Sequence, residues 1–198
     1  MEYAILGTGT GRSGTVSLSK ILNSCRNSNV THENKRYMIP YNNPDTVIQR
    51  INNEFTDVGH SFFGDVNYTY FMHLERITAP VKWIFLHRDM EDTVNSWLNK
   101  LGGMSRCYPK DRPHIQHRYW NQFFPQYDFV NNAKEAWEMY WRSYESMSKC
   151  IPNSFHIDML DLNKDDKLEE MYDFLNMPES WRAFPRERKF NSSEELHR

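Results

Sequence analysis

Residues 5–18 have the sequence ILGTGTGRSGTVSL. An apolar strand, predicted over 3–7, runs into a turn rich in glycine, serine and threonine, and a helix is predicted over 13–25. The N-terminus of a helix presents unpaired backbone N–H groups and the positive end of the helix dipole. Arg12 adds a fixed positive charge with a planar fork of donors. This stretch therefore predicts an anion site at the end of a buried strand.

The rest of the chain alternates between strand and helix patterns. Further strands are predicted over 81–89 and 154–162. Residues 102–131 form a long irregular segment, and helices are predicted over 44–55, 66–77, 90–101, 133–150 and 164–177. The alternation predicts an α/β fold, a single domain over 1–198 in which a parallel β-sheet is flanked by helices in a P-loop-like three-layer sandwich. Ligands of such sheets bind outside the carboxyl ends of the strands.

Composition limits the classes of function. Hydrophobic residues make up 39% of the chain and the net charge is −2, so the sequence favours a globular protein without the basic excess of nucleic-acid binders. Cys25, Cys107 and Cys150 fit neither a disulfide framework nor a zinc site, which favours a reducing compartment. No stretch approaches the roughly 18 apolar residues of a membrane span, and the N-terminus lacks the apolar region of a signal peptide. We expect a cytoplasmic protein that binds no membrane.

Two nucleotide-binding folds are alternatives for the first turn. GTGRSG at 9–14 matches the dinucleotide fingerprint, and Glu33 follows at about the distance at which that fingerprint places an acid. The acid should end a second apolar strand, however, and NSNVTHE at 27–33 is a poor strand.

The second alternative is a nucleoside-triphosphate P-loop, as in a small kinase. Aligning Arg12 and Ser13 with its Lys-[Ser/Thr] pair puts Leu6 in the place of the first glycine, and Arg replaces Lys. The strand 81–89 ends in His-Arg before Asp89, where a P-loop enzyme should present a magnesium-binding acid.

Two segments taken together resemble a different family. GRSGTVSL (11–18) and IFLHRDMEDTVNSW (84–97) are similar to the sulfotransferases that use 3'-phosphoadenosine 5'-phosphosulfate. Their first motif is a strand, then Lys/Arg-Ser-Gly-Thr, then a helix. Their second is a strand ending in Arg-Asp with a serine eight residues after the arginine, as in Arg88 and Ser96.

The resemblance implies a role for each motif. The first would grip the 5'-phosphosulfate through Gly11, Arg12, Ser13, Gly14 and Thr15, and Arg88 with Ser96 would grip the 3'-phosphate. The donor carries an anion at each end of one nucleoside, so it needs two anion sites on neighbouring strands. Sulfuryl transfer neutralises less charge than phosphoryl transfer, so positioning and donor groups can suffice without a metal. The product would be adenosine 3',5'-bisphosphate, and the acceptor a hydroxyl of a small molecule or glycan.

Transfer to a hydroxyl needs a base. The resemblance points to Glu33 in NVTHENK, which follows Arg12 by 21 residues. His60 in DVGHSFFGD is the alternative base, with Asp57 or Asp65 able to orient its imidazole.

Two further segments complete the predicted site. The resemblance implies that the basic cluster RERKFNSS (186–193) closes over the 3'-phosphate, with Arg188 and Lys189 as helpers. Segment 102–129, rich in aromatic, Arg and His residues, is predicted to shape the acceptor site. A nucleotide-binding module without catalysis remains the non-enzymatic alternative.

Overall fold

The computed structural model describes residues 3–56 and 62–184. The strands in this part of the chain are β1 (Ala4–Thr8), β2 (Ser28–His32), β3 (Phe62–Val66), β4 (Val81–His87) and β5 (Phe155–Asp158). The α-helices are α1 (Thr15–Ser24), α2 (Asp45–Glu54), α3 (Met90–Lys100), α4 (Ala133–Ser148) and α5 (Asp165–Phe174). Short 3-10 helices occupy Tyr70–Arg76, Arg118–Phe123, Met159–Asn163 and Glu179–Trp181.

The strands form one parallel sheet in the order β2-β3-β1-β4-β5. β1 lies at its centre, with Leu6 opposite Trp83 of β4 and Ile5 opposite Gly64 of β3. The carboxyl ends of β1 and β4 are therefore neighbours, so the turns that follow these two strands meet at one edge of the sheet. The α/β architecture predicted from the sequence is confirmed.

The sheet is covered on both faces. Alternate residues of β1 point to opposite sides, so Ala4 and Leu6 join one apolar cluster and Ile5 joins the other. Helices α2, α3 and α4 pack on the first face, and α1 and α5 pack on the second. Because apolar surface is buried on both sides, the strands of the centre read as continuous apolar runs, which is why β1 and β4 are visible in the sequence.

The helix predicted over 66–77 is wrong. β3 ends at Val66, and the residues after a short turn form the 3-10 helix Tyr70–Arg76, which is broken at His73. In the turn, the side chain of Asn67 accepts hydrogen bonds from the backbone N–H and the hydroxyl of Thr69. Such local side-chain bonds compete with helical backbone bonds.

The sequence reasoning also missed β2 and β3, and it made the strand at β5 too long. β2 is a strand although it is polar, because it lies at the edge of the sheet, pairs only with β3, and buries only Val30 completely. The strand predicted over 154–162 ends at Asp158, whose side chain accepts a hydrogen bond from Leu160 N and begins a 3-10 helix.

The strand order bears on the dinucleotide alternative. The argument that 27–33 is a poor strand was wrong, since β2 lies there. In the dinucleotide fold, however, the second strand lies beside the first, whereas here β3 separates β2 from β1. The order of the strands, and not the lack of a second strand, therefore distinguishes this sheet from the dinucleotide fold.

Two general features complete the description. Among the described residues, no helix combines the length and the apolar character needed to cross a bilayer. Cys25, Cys107 and Cys150 are free thiols. The cytoplasmic location stays a prediction.

Candidate functional site

The turn between β1 and α1 has an unusual backbone. Gly11, Arg12 and Gly14 all have positive φ angles, of 67°, 58° and 92°. In a tight turn, successive backbone N–H groups can point to one side and form an anion-binding concavity. Arg12 is not a glycine, so its left-handed conformation is one that the surrounding structure must hold in place.

Trp97 of α3 forms one wall of this turn. Its indole N–H donates to the carbonyl oxygen of Thr10 at 3.2 Å. A Cβ atom added to Gly11 would lie 2.7 Å from Trp97 Cζ2, so no larger residue fits there without displacing the indole. The turn and α3 are therefore fitted to each other.

Arg12 joins the two predicted anion-binding motifs. Its Nε–H donates to Ser96 Oγ at 3.0 Å, and Nη1 of Arg88 donates to the carbonyl oxygen of Arg12 at 2.8 Å. Arg88 and Ser96 thus both contact Arg12. Arg88 is in turn positioned by Trp141, whose indole N–H donates to its carbonyl oxygen. The two motifs form one continuous site.

The guanidinium groups of Arg12 and Arg88 are not paired with carboxylates among the described residues. Burial, and next the positive charge of Arg88, lower the pKa of the Arg12 guanidinium. Asp89 caps α3, accepting from Asp92 N.

Two buried polar atoms at the site have no hydrogen-bond partner, namely Ser13 Oγ in the first turn and Arg88 Nε in the second. Leaving such groups unpaired costs free energy. An anionic ligand at both turns would satisfy them and would neutralise the adjacent guanidinium groups. The residues present therefore fit a ligand with an anion at each turn.

A cavity of about 340 Å³ opens beside the first turn. Its aromatic wall consists of Tyr68, Trp97, Trp120 and Phe124. Its ionisable and polar wall residues include Arg12, Thr15, Lys20, His32, Glu33, Lys100 and Arg106. A small cavity that combines aromatic walls with a few convergent polar groups is the usual form of a ligand site.

Glu33 is the carboxylate of this cavity. It directly follows β2 with a positive φ of 46° and lies beside His32, whose Nε2 is 3.5 Å from Glu33 Oε1 and 3.1 Å from Thr15 Oγ1. Burial raises the pKa of Glu33 to about 7, with a further increase from the charge of Asp65 and an opposing effect of Lys100. Burial lowers the pKa of His32 to about 4, so this imidazole is neutral at pH 7.

Asp65 accepts hydrogen bonds from residues on both sides of Glu33. Its Oδ1 accepts from the hydroxyl of Thr31 at 2.5 Å and from Asn34 N at 3.3 Å, and Tyr70 OH donates to Oδ2 at 2.6 Å. Burial raises the pKa of Asp65. This buried network fixes the turn that carries Glu33 and adds to the electrostatic cost of ionising it.

The residues predicted for donor binding and catalysis divide into three groups. Those that line the cavity are Gly11, Arg12, Gly14, Thr15 and Glu33. Ser13 lies in the same turn, while Arg88 and Ser96 adjoin the cavity through Arg12. His60, Arg188 and Lys189 lie outside the described residues, and their roles stay predictions.

Sequence reasoning missed Lys20, Lys100 and Arg106 in the cavity wall. The spacing on the helices could have indicated two of them. Lys100 lies one turn after Ser96 on α3, and Lys20 lies one turn after Val16 on α1, so each shares a helix face with a residue near the site. Arg106 belongs to the irregular segment 102–131, which has no periodicity to indicate its direction.

The fold is similar to that of solved structures. A sulfotransferase domain from the curacin biosynthetic pathway is similar to this chain with a TM-score of 0.53 and 16% identity, over 97% of this chain and 81% of that one. The chain has the fold of the sulfotransferases. Mouse sulfotransferase SULT7A1 complexed with PAP is similar with a TM-score of 0.51 and 15% identity, over 99% of this chain and 63% of that one.

No protein-family model and no curated protein matches the sequence. The identities to the two solved sulfotransferases are low, so the similarity establishes the fold. Within the described residues, no three His, Cys, Asp or Glu side chains are grouped to hold a metal ion.

Proposed function

We propose that this protein is a sulfotransferase that moves a sulfuryl group from 3'-phosphoadenosine 5'-phosphosulfate to the hydroxyl of a small acceptor. One observation carries the proposal: Arg12 contacts both Ser96 and Arg88, while its side chain and Glu33 line the same cavity. Anion-binding groups on two neighbouring strands and a candidate base are thereby combined in one site.

The residues of the two turns would hold the donor. The N–H groups of residues 11–15, with Arg12, Ser13 and Thr15, would bind the 5'-phosphosulfate, and Arg88 with its unpaired Nε would bind the 3'-phosphate. When bound, the donor supplies an activated sulfuryl group. Arg12 and the backbone N–H groups are then placed to stabilise the negative charge that develops on the leaving phosphate.

Glu33 would act as the general base. Its carboxylate would accept the proton of the acceptor hydroxyl while the acceptor oxygen bonds to sulfur and the bond from sulfur to the 5'-phosphate oxygen breaks. A pKa of about 7 suits this role, because such a base is half ionised at neutral pH and still binds a proton well. Asp65, through Thr31 and Asn34, would keep the carboxylate in position.

Isothermal titration calorimetry tests the donor site. We expect adenosine 3',5'-bisphosphate to bind equally well with magnesium and with a chelator. Arg88→Ala should weaken this binding by about 1.5–3 kcal/mol, the usual range for a hydrogen bond to a charged group. Arg118→Ala is the control, since Arg118 is exposed and bonds only to the carbonyl oxygen of Pro113 among the described residues. Binding of ATP with magnesium, and not of the bisphosphate, would instead support a kinase.

Transfer from a ³⁵S-labelled donor, measured over a panel of hydroxyl acceptors, tests catalysis. Labelled product that depends on Glu33 supports the proposal. Tight binding of the bisphosphate without transfer to any acceptor would favour a nucleotide-binding module.

A further inference from the structure

Three cations lie in the cavity wall apart from the residues assigned to the donor, namely Lys20, Lys100 and Arg106, and the last two are close in sequence. Lys100 ends α3, and Arg106 follows in the irregular segment. Arg106 is only 7% exposed, and its Nη1 donates to Asn121 Oδ1 at 2.9 Å and to the carbonyl oxygen of His117 at 3.3 Å. In the described part of the chain its Nε and Nη2 make no hydrogen bond, so one edge of the fixed guanidinium is free to bind a ligand.

These cations lack a carboxylate partner. Across residues 3–56 and 62–184, neither Lys100 nor Arg106 is within 4 Å of an acidic oxygen. Desolvation, the charge of Arg12 and the charge of Arg106 lower the pKa of Lys100, and Glu33 partly opposes them. A positive field of this kind, maintained in a partly desolvated cavity, favours an anionic ligand.

Aromatic rings line the same cavity. Tyr68 stacks on Phe124 with ring centroids 5.2 Å apart, and Trp97 and Trp120 complete the wall. Aromatic side chains pack well against a ring of a ligand. The volume of about 340 Å³ lies at the lower end for small-molecule sites. The cavity therefore suits a single ring better than a long polymer.

We propose that the acceptor is a ring compound carrying a carboxylate, which Arg106 and Lys100 bind while its hydroxyl faces Glu33. This inference rests on the proposed function and adds the chemical class of the acceptor to it. The Arg106 guanidinium offers two donors in the geometry that a carboxylate accepts. Arg12 is engaged by Ser96 and the first turn, so it is not needed for this second anion.

The test compares equilibrium binding of acid and neutral members of two matched pairs to the full chain saturated with adenosine 3',5'-bisphosphate. One pair is 4-hydroxyphenylacetate and 4-hydroxyphenylacetamide, and the other is methyl glucuronide and methyl glucoside. We expect the acid of one pair to bind about tenfold or more tightly than its neutral partner, as charged hydrogen bonds imply. Equal or weaker binding of the acid in both pairs, including no binding of either, overturns the inference.

Two variants locate the selectivity. Arg106→Gln and Lys100→Gln should each reduce the preference for the acid to within about threefold, because a neutral amide cannot replace the charge. Arg118→Gln is the matched control, with the same loss of charge in the same segment but outside the cavity wall. Thermal melts identify a variant that fails to fold, in which case the other carries the comparison. A preference for the acid that is retained in every variant that folds contradicts the assignment.

The controls separate the two proposals. If the bisphosphate does not bind, the proposed function fails. If the bisphosphate binds and labelled sulfate is transferred, but acid and neutral compounds bind alike, only the carboxylate inference fails.

Discussion

Arg12 and Glu33 share a property that their side-chain chemistry does not require. Both have left-handed backbone conformations, with φ of 58° and 46°, and both line the same cavity. Such conformations cost on the order of 1–3 kcal/mol each for residues other than glycine, and they concentrate at binding and catalytic sites. The strain directs a guanidinium and a carboxylate into one space from two different strands. Asp65 and Ser96 supply the contacts that hold it.

The raised pKa of Glu33 predicts the pH dependence of catalysis. A base works only when deprotonated, so kcat/KM should rise with pH below about 7 and level off above it. Glu33→Gln should lower kcat by roughly 10²–10⁴ and remove this rise, while the affinity for adenosine 3',5'-bisphosphate stays near that of the wild type. Steady-state rates with labelled donor between pH 5.5 and 9, in about half-unit steps, measure both effects. Full activity of the variant would transfer the role of base to another residue, with His60 as the first candidate.

The same shift predicts an effect on stability. The pKa of Glu33 is raised from 4.5 to about 7 on folding, so the folded state favours the neutral acid. The stabilisation is complete below pH 4.5 and is lost as the pH rises through about 7. Without ligand, the unfolding free energy of Glu33→Gln minus that of the wild type should therefore increase by about 2–3 kcal/mol as the pH rises from 4.5 to 8.

Urea unfolding at about pH 5 and pH 8 measures this difference. Glu54→Gln is the control, and its effect on stability should have the opposite sign. Hydrogen bonds from Arg36 lower the pKa of Glu54, so the folded state favours the ionised form of this carboxylate. That variant should be less stable than the wild type by the same amount at both pH values. A difference between Glu33→Gln and the wild type that does not change with pH would show that Glu33 titrates normally.

At the scale of elements, the first turn and α3 depend on each other. Trp97 bonds to the carbonyl of Thr10 and occupies the space next to Gly11. The second motif therefore does more than supply Ser96, since its helix also shapes the turn of the first motif. A change at this contact should affect binding at both turns.

Gly11→Ala tests that contact. Ala at this position meets both a positive φ of 67° and Trp97 Cζ2 at 2.7 Å, so the variant should bind adenosine 3',5'-bisphosphate at least tenfold more weakly and lose more than about 2 kcal/mol of stability. Gly102→Ala has a similar φ of 61° with open space around it, and should lose only about 1 kcal/mol and no affinity. Melting curves and calorimetry compare the two. Equal losses in both variants would mean that backbone strain, and not the Trp97 contact, decides the outcome.

The elements differ in how well the sequence predicted them. Strong sequence signals mark β1, β4, α3 and α4. Strands buried on both faces form apolar runs, and helix caps are local features of the sequence, as at Asp89 of α3. β2 and β3 were missed since pairing between strands, rather than composition, makes Ser28–His32 extended. The two turns predicted to bind anions could be located because each follows a recognisable strand. Arg106 could not be found, because its direction depends on long-range contacts of an irregular segment.

For the whole molecule, the parallel sheet sets a gradient of stability. β1 lies between β3 and β4 with all five residues buried, whereas the edge strands β2 and β5 are each only partly buried. Native-state hydrogen exchange should therefore be slowest for amides of β1 and faster, through local opening, for those of β2 and β5. NMR detection of exchange resolves the amides individually. Amides of β5 that exchange as slowly as those of β1 would contradict this order.

The position of Glu33 after an edge strand then has a functional meaning. The turns proposed to bind anions follow two interior strands, β1 and β4, whereas the candidate base follows β2 at the margin. The proposed donor site thus lies at the interior strands, and the proposed acceptor side is built from the margin and the irregular segment. We expect the proposed acceptor side to tolerate more sequence change than the proposed donor site.

Trp97 also stacks on Trp137, with ring centroids 4.7 Å apart and planes inclined by 9°. One of these indoles lines the cavity and the other is buried in the apolar core behind it. Because stacked indoles couple their electronic transitions, near-ultraviolet circular dichroism and intrinsic fluorescence can follow occupation of the cavity without an attached dye. The protein thus carries its own optical reporter.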